Sequence, residues 1–129
     1  MSSNNPVLVN ALLEGKVSLT AIYKKPDKDN VFKREVLFGK AAKCDEEYSF
    51  KVVPEGCSFK QPSTAVPIDF DILEGLFDIL CLIAAFVNPE VDVMFLVSGG
   101  GDKTDGAKYL VEFVDTGNGK KERCVSRIA

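Results

Sequence analysis

The chain has 129 residues, 46% of them apolar and 27% charged, a formal charge of −3 and no histidine. That length accommodates one domain with a substantial core, and the composition excludes a largely disordered chain. Without imidazole there is no Ser-His or Cys-His nucleophile and no histidine-ligated metal, so most familiar proton-shuttling mechanisms are closed to it.

Basic residues outnumber acidic ones 10 to 8 over residues 1–62, and acidic outnumber basic 11 to 6 over residues 63–129. No whole-molecule field therefore draws the chain to nucleic acid or an anionic membrane, although a local one on the N-terminal half is open. Residues 1–6 offer nothing to bury and read as a disordered arm ahead of a single domain over 7–129. The apolar stretch Val7 to Leu13 is short, is broken by Asn10 and follows no charged leader, which is not the pattern of a signal peptide.

From Lys16 to Lys25 the chain alternates, with Val17, Leu19, Ala21 and Tyr23 on one side. A period of two is the signature of a half-buried strand. Pro26 to Asn30 is a turn cluster. Asn30 to Ala41 supplies a second strand, Asp45-Glu46-Glu47 a charged turn, and Tyr48 to Val53 a third strand that stops at Pro54. Gly56, Pro62 and Pro67 make residues 55–67 a loop, with room for a short edge strand around Phe59.

Ile68 to Val87 is the one predicted helix. Asp69 and Asp71 lie at its start, where carboxylates complement the helix dipole, and Asn88-Pro89 ends it. Ile79 to Val87 is apolar without a break, and a helix apolar all round must be covered on all sides. The carboxylates at Asp69, Asp71, Glu74 and Asp78 rule out a membrane span. Strands follow at Val91 to Val97, Lys108 to Val114 and Lys121 to Ile128, the last two joined by a tight turn at Asn118-Gly119.

Three motifs invite chemistry and have simpler readings. Asp115-Thr116-Gly117 resembles the catalytic loop of aspartic proteases, in which two chains each supply an aspartate. Only twelve residues follow it, and Asp-Thr-Gly-Asn-Gly reads as a hairpin turn. The run from Ser98 to Thr104 is similar to a phosphate-binding loop, but Asp102 stands where glycine is required and a strand follows instead of a helix. Asp71, Glu74 and Asp78 share one helix face, yet they extend too far along it to converge on one cation. Cys44, Cys57, Cys81 and Cys124 form no C-x-x-C pair and read as reduced thiols in a cytoplasmic protein. No catalytic residue, metal or cofactor is expected.

The expected fold is α+β, in the order β-β-β-α-β-β-β: an antiparallel curved sheet or small barrel with one buried apolar helix. The leading functional expectation is a non-catalytic structural or assembly protein, a viral-particle component being one setting that suits it. It self-associates as a homodimer or higher oligomer through an apolar helix and sheet surface, with Ile79, Leu80, Leu82, Ile83 and Phe86 at the interface, because a single sheet seldom covers so apolar a helix. The alternative is a single-stranded nucleic-acid-binding protein. Tyr23, Lys24, Lys25, Phe32, Lys33, Arg34, Lys40 and Lys51 interleave stacking faces with cations along three strands. The strand order is also similar to an oligonucleotide-binding barrel with one strand left over. That reading requires Lys24, Lys25, Lys33 and Arg34 to share one face. No membrane partner is expected.

Overall fold

A computed structural model describes residues 6–25, 29–41, 44–58, 60, 64–69, 75–101 and 105–129, with backbone alone at 6, 40, 41 and 44–47. In chain order these residues form α1 (Pro6–Leu13), β1 (Val17–Lys24), β2 (Val31–Ala41), β3 (Cys44–Pro54), β4 (Val66–Ile68), α2 (Leu76–Val87), β5 (Val93–Gly99), β6 (Lys108–Asp115) and β7 (Lys121–Arg127).

The seven strands make one antiparallel sheet in the order β4-β3-β2-β1-β5-β6-β7. The chain meanders outward from β1 to the edge at β4. It then crosses the sheet through α2 and re-enters beside β1 as β5, so the first strand lies at the centre. The sheet curls into a half-barrel, in agreement with the expected α+β class. Its end strands β4 and β7 do not pair with each other, so the curved-sheet form of the expectation holds and the closed barrel does not.

The alternation in β1 sorts the two faces. Val17, Leu19, Ala21 and Tyr23 are buried on the inner face, and across the ladder Leu19 pairs with Val36 and Val97, and Ala21 with Phe95. Phe95 in turn pairs with Tyr109, and Val93 with Val111. These inner-face side chains and the two helices form the core. In α2, Leu76, Ile79, Leu80, Ile83 and Ala84 are buried, which is the i, i+3, i+4, i+7, i+8 stripe of a helix lying on a sheet. Phe77 meets Tyr109 edge to face at 6.1 Å, and Phe86 meets Phe50 at 5.7 Å.

Three expectations are corrected. The stretch after the predicted arm is a helix, α1, which buries Leu8 and Leu12 in the core. It ends in a Schellman motif: Gly15 takes φ 75, its N–H donates to the Leu12 carbonyl, and the Lys16 N–H donates to the Ala11 carbonyl. The predicted helix at Ile68 to Val87 begins at Leu76, because Val66 to Ile68 is an edge strand whose Ile68 pairs with Tyr48 and is buried. Pro67 fits there because an edge strand can spare one N–H. Asp45 to Glu47, expected as a turn, belong to β3. Phe59, Asp71 and Glu74 lie outside the described residues.

Candidate functional site

The eight predicted nucleic-acid-binding residues divide between the two faces of the sheet. Tyr23 pairs with Phe32 and Arg34 with Ala21, which places all three on the inner side. Lys33 pairs with Ile22, Lys24 with Val31, and Lys51 with Leu37, which places these lysines on the outer side. Successive side chains of a strand alternate faces, so Lys33 and Arg34 cannot share one. The expectation of a single cationic face is corrected. Lys40 lies in β2, and its side chain is outside the described residues.

What the structure does bring together is a cluster on Phe32. Tyr23 stacks on the ring at 5.6 Å and 18°. The Lys25 ammonium lies 5.1 Å from its centroid and the Arg34 guanidinium 5.3 Å from it. Cations over an aromatic face are attracted by the ring quadrupole. These contacts occupy the surfaces on which a base would stack.

Arg123 makes a second cluster. Its guanidinium lies 4.5 Å from the Phe113 centroid and donates to the carbonyls of Asn88 at 2.6 Å and Val91 at 2.9 Å. It thereby closes the C-terminal end of α2 onto β7. Burial draws the Arg123 guanidinium below its ordinary pKa, opposed by Cys81 and Asp92. Burial likewise pushes the Cys81 thiol up, with Asp78 adding to the rise and Arg123 working against it.

Each loop motif satisfies itself. The Asp115 carboxylate accepts from the Gly117 N–H at 3.0 Å, while Gly117, Asn118 and Gly119 take φ 84, 54 and 73. Asp-Thr-Gly is therefore the entry to the β6–β7 hairpin. Gly99, Gly100 and Gly101 all take positive φ, but the Gly99 N–H donates to the Asp105 carboxylate at 2.9 Å, where a phosphate-binding loop would hold its anion. Residues 102–104 lie outside the described residues. Among the described residues, no three His, Cys, Asp or Glu side chains are grouped to hold a metal.

The predicted interface on α2 is largely internal. Ile79, Leu80 and Ile83 are 2%, 0% and 0% exposed, because the curl of the sheet and the added α1 cover more of the helix than a flat sheet could. Leu82 is partly buried against the core, and Phe86 keeps 46% of its surface.

The apolar surface that sequence reasoning missed lies on the outer face. In register order, Lys33, Ile22, Met94, Leu110 and Ser126 form one row across β2, β1, β5, β6 and β7. Glu35, Thr20, Leu96 and Lys108 form the next row. Ile22, Met94, Leu96 and Leu110 stand together at its centre, each partly exposed and none in contact with the core. The turn at Pro54 to Cys57 bounds this patch, and the Gly56 N–H donates to Glu35 there at 3.3 Å. A separate cleft of about 160 Å³ opens where β1 and β2 part beyond the Leu19–Val36 pair, lined by Leu12, Gly15, Ser18 and Leu37 among others. Against known proteins, the chain matches no family model, no curated protein and no solved structure.

Proposed function

We propose that this protein is a non-catalytic assembly module that self-associates through the outer face of its sheet. The observation that carries the reading is β5. Its run Val93-Met94-Phe95-Leu96-Val97 is apolar on both sides, the pattern of a strand covered on both faces. The two helices pack with the inner side only. Met94 and Leu96, with Ile22 and Leu110 beside them, form an apolar group on the side away from the core. A contiguous patch of this kind on a soluble domain marks a protein contact.

The area sets the expected strength. The apolar group itself spans three strands about 4.8 Å apart and two rows about 6.7 Å apart, roughly 200 Å² per copy. The curl of the sheet makes this face convex, so the contact is small and dissociation is on the order of 100 micromolar or weaker.

No helix among the described residues is long and apolar enough to cross a membrane. Cys57, Cys81 and Cys124 are free, which supports a reducing, cytoplasmic setting. Single-stranded nucleic-acid binding has less support, because its cations divide between two faces and the Phe32 ring is engaged within the chain.

Sedimentation velocity from about 10 µM to about 1 mM tests the reading. The wild-type mass should climb from 14.1 kDa toward twice that value, while Met94→Glu, with an unchanged far-UV circular dichroism spectrum, should stay at the monomer mass. A wild-type chain that remains monomeric throughout overturns the proposal. Absorbance at 260 nm in the same runs reports any bound nucleic acid.

A further inference from the structure

We infer that the open edge of β7 takes up an extended acidic segment of another protein as an added strand, a contact separate from the outer face. The ladder bonds show which groups that edge offers. The Thr116 N–H donates to the Lys120 carbonyl, and the Ile128 N–H donates to the Lys108 carbonyl. Together with the register of Tyr109 on Arg127 and Asp115 on Lys121, these bonds set the phase of the ladder. Glu122, Cys124 and Ser126 turn their peptide groups to β6, so Lys121, Arg123, Val125 and Arg127 turn theirs outward. No described strand pairs on that side, and such a row of N–H and C=O groups is a template for another strand. β7 is also regular enough to serve as one: its seven residues pair with β6 in unbroken register and include no proline. The opposite edge, β4, has three residues and contains Pro67.

The side chains of the same residues set the chemistry of the partner. Lys121, Arg123, Val125 and Arg127 share the inner side of β7, with Lys121 and Arg127 exposed and Arg123 and Val125 half-buried. Their cross-strand neighbours on β6 are Asp115, Phe113, Val111 and Tyr109. Asp115 and Asp92 offset part of the charge, but the carboxylate of Asp115 also accepts from the Gly117 N–H and that of Asp92 from the Phe113 N–H. The two groups to which Arg123 donates are neutral carbonyls. Residues directly opposite on antiparallel strands approach to about 5 Å at Cβ, where opposite charges attract and like charges repel. A fitting segment therefore sets acidic residues against Arg127, Arg123 and Lys121 and an apolar one against Val125. On the other side of the strand Glu122 favours a basic residue opposite. Another β7 presents cations instead and is repelled, so the charges that keep this edge from its own kind select an acidic chain. A nucleic acid has the matching charge but no peptide groups to extend the ladder.

The test titrates a fluorescein-labelled peptide, Glu-Thr-Val-Thr-Glu-Lys-Glu, with the whole chain and follows anisotropy at low salt. Saturable binding is expected between about 100 micromolar and 1 millimolar, weakening as salt rises. Laid antiparallel, the peptide sets its first Glu against Arg127 and its Val against Val125, so its Val N–H points at β7 and the next Thr N–H points away. Methylating the Val nitrogen should weaken binding by more than about ten-fold, and methylating that Thr nitrogen by less than about two-fold. Lys121→Glu should weaken binding by about three-fold, and a peptide ending in Lys should restore it. Met94→Glu should leave peptide binding unchanged, so a chain that stays monomeric refutes the outer-face reading without touching this one. No binding up to about 1 millimolar, an equal effect of the two methylations, or loss of binding in Met94→Glu overturns the inference. So does a single-stranded oligonucleotide of equal charge that displaces the peptide with the same affinity, because the cations then serve phosphate.

Discussion

Arg123 shows how much one side chain can organise here. It sits on the edge strand β7, yet its two donors reach the carbonyls of Asn88 and Val91, and its planar group covers Phe113. Asn88 ends α2, with its N–H bonded to the Ala84 carbonyl and its side-chain oxygen accepting from Glu90. Arg123 therefore meets a helix end, where a cation complements the dipole, and ties that end to the sheet. Arg123→Ala should destabilise the fold by about 2 kcal/mol in urea unfolding, because charge-assisted hydrogen bonds are among the stronger ones. Arg123→Lys should recover part of this, since a point charge cannot serve two carbonyls and the ring together. A loss below half a kilocalorie would show the clamp to be incidental. In the sequence Arg123 is one arginine in a charged hairpin, because its partners lie 32 and 35 positions away.

The two helices illustrate opposite ways in which an element can be misread. The all-apolar run of α2 suggested surplus surface, but Leu80 and Ile83 are wholly covered within the chain. Leu80→Ala should then cost about 3 kcal/mol in unfolding free energy without shifting the self-association constant of the folded protein. If the folded variant loses association instead, the helix belongs to the interface after all. α1 was passed over because eight residues hold too few turns to show a period. Its signals were nonetheless present: Pro6 at the first helical position, Leu8 and Leu12 four apart, and Gly15 at the left-handed cap. An isolated helix so short is marginal, and it forms because those two leucines complete the core.

Assembly of the whole molecule is shaped as much by the edges of its sheet as by its faces. An open sheet risks pairing edge to edge without limit. At one edge, β4 is three residues long and contains Pro67. At the other, Lys121, Arg123 and Arg127 share the inner face of β7, as their pairing with Asp115, Phe113 and Tyr109 shows. Two β7 strands brought together antiparallel would set these cations against one another in most registers that preserve the faces. Association should therefore stop at the dimer. Sedimentation to about 1 mM should show no larger species, and a concentration-dependent ladder of oligomers would show that an edge is open.

Six of the seven strands, the inner face of β1 and the β6–β7 turn were legible in the sequence, because alternation and turn chemistry are local. β5 even carried the sign of the outer surface, since a run apolar at every position presents apolar groups to both sides of a sheet. Only the tertiary structure decided which of those sides the helices cover. They bury the inner one, because the curl makes it concave and both apolar stripes fit there. Register, set by long-range pairing, then separated Lys33 from Arg34 and gathered Ile22, Met94, Leu96 and Leu110 from three strands into one patch. No spacing along the chain encodes that gathering, for β5 reaches β1 only after the crossing through α2.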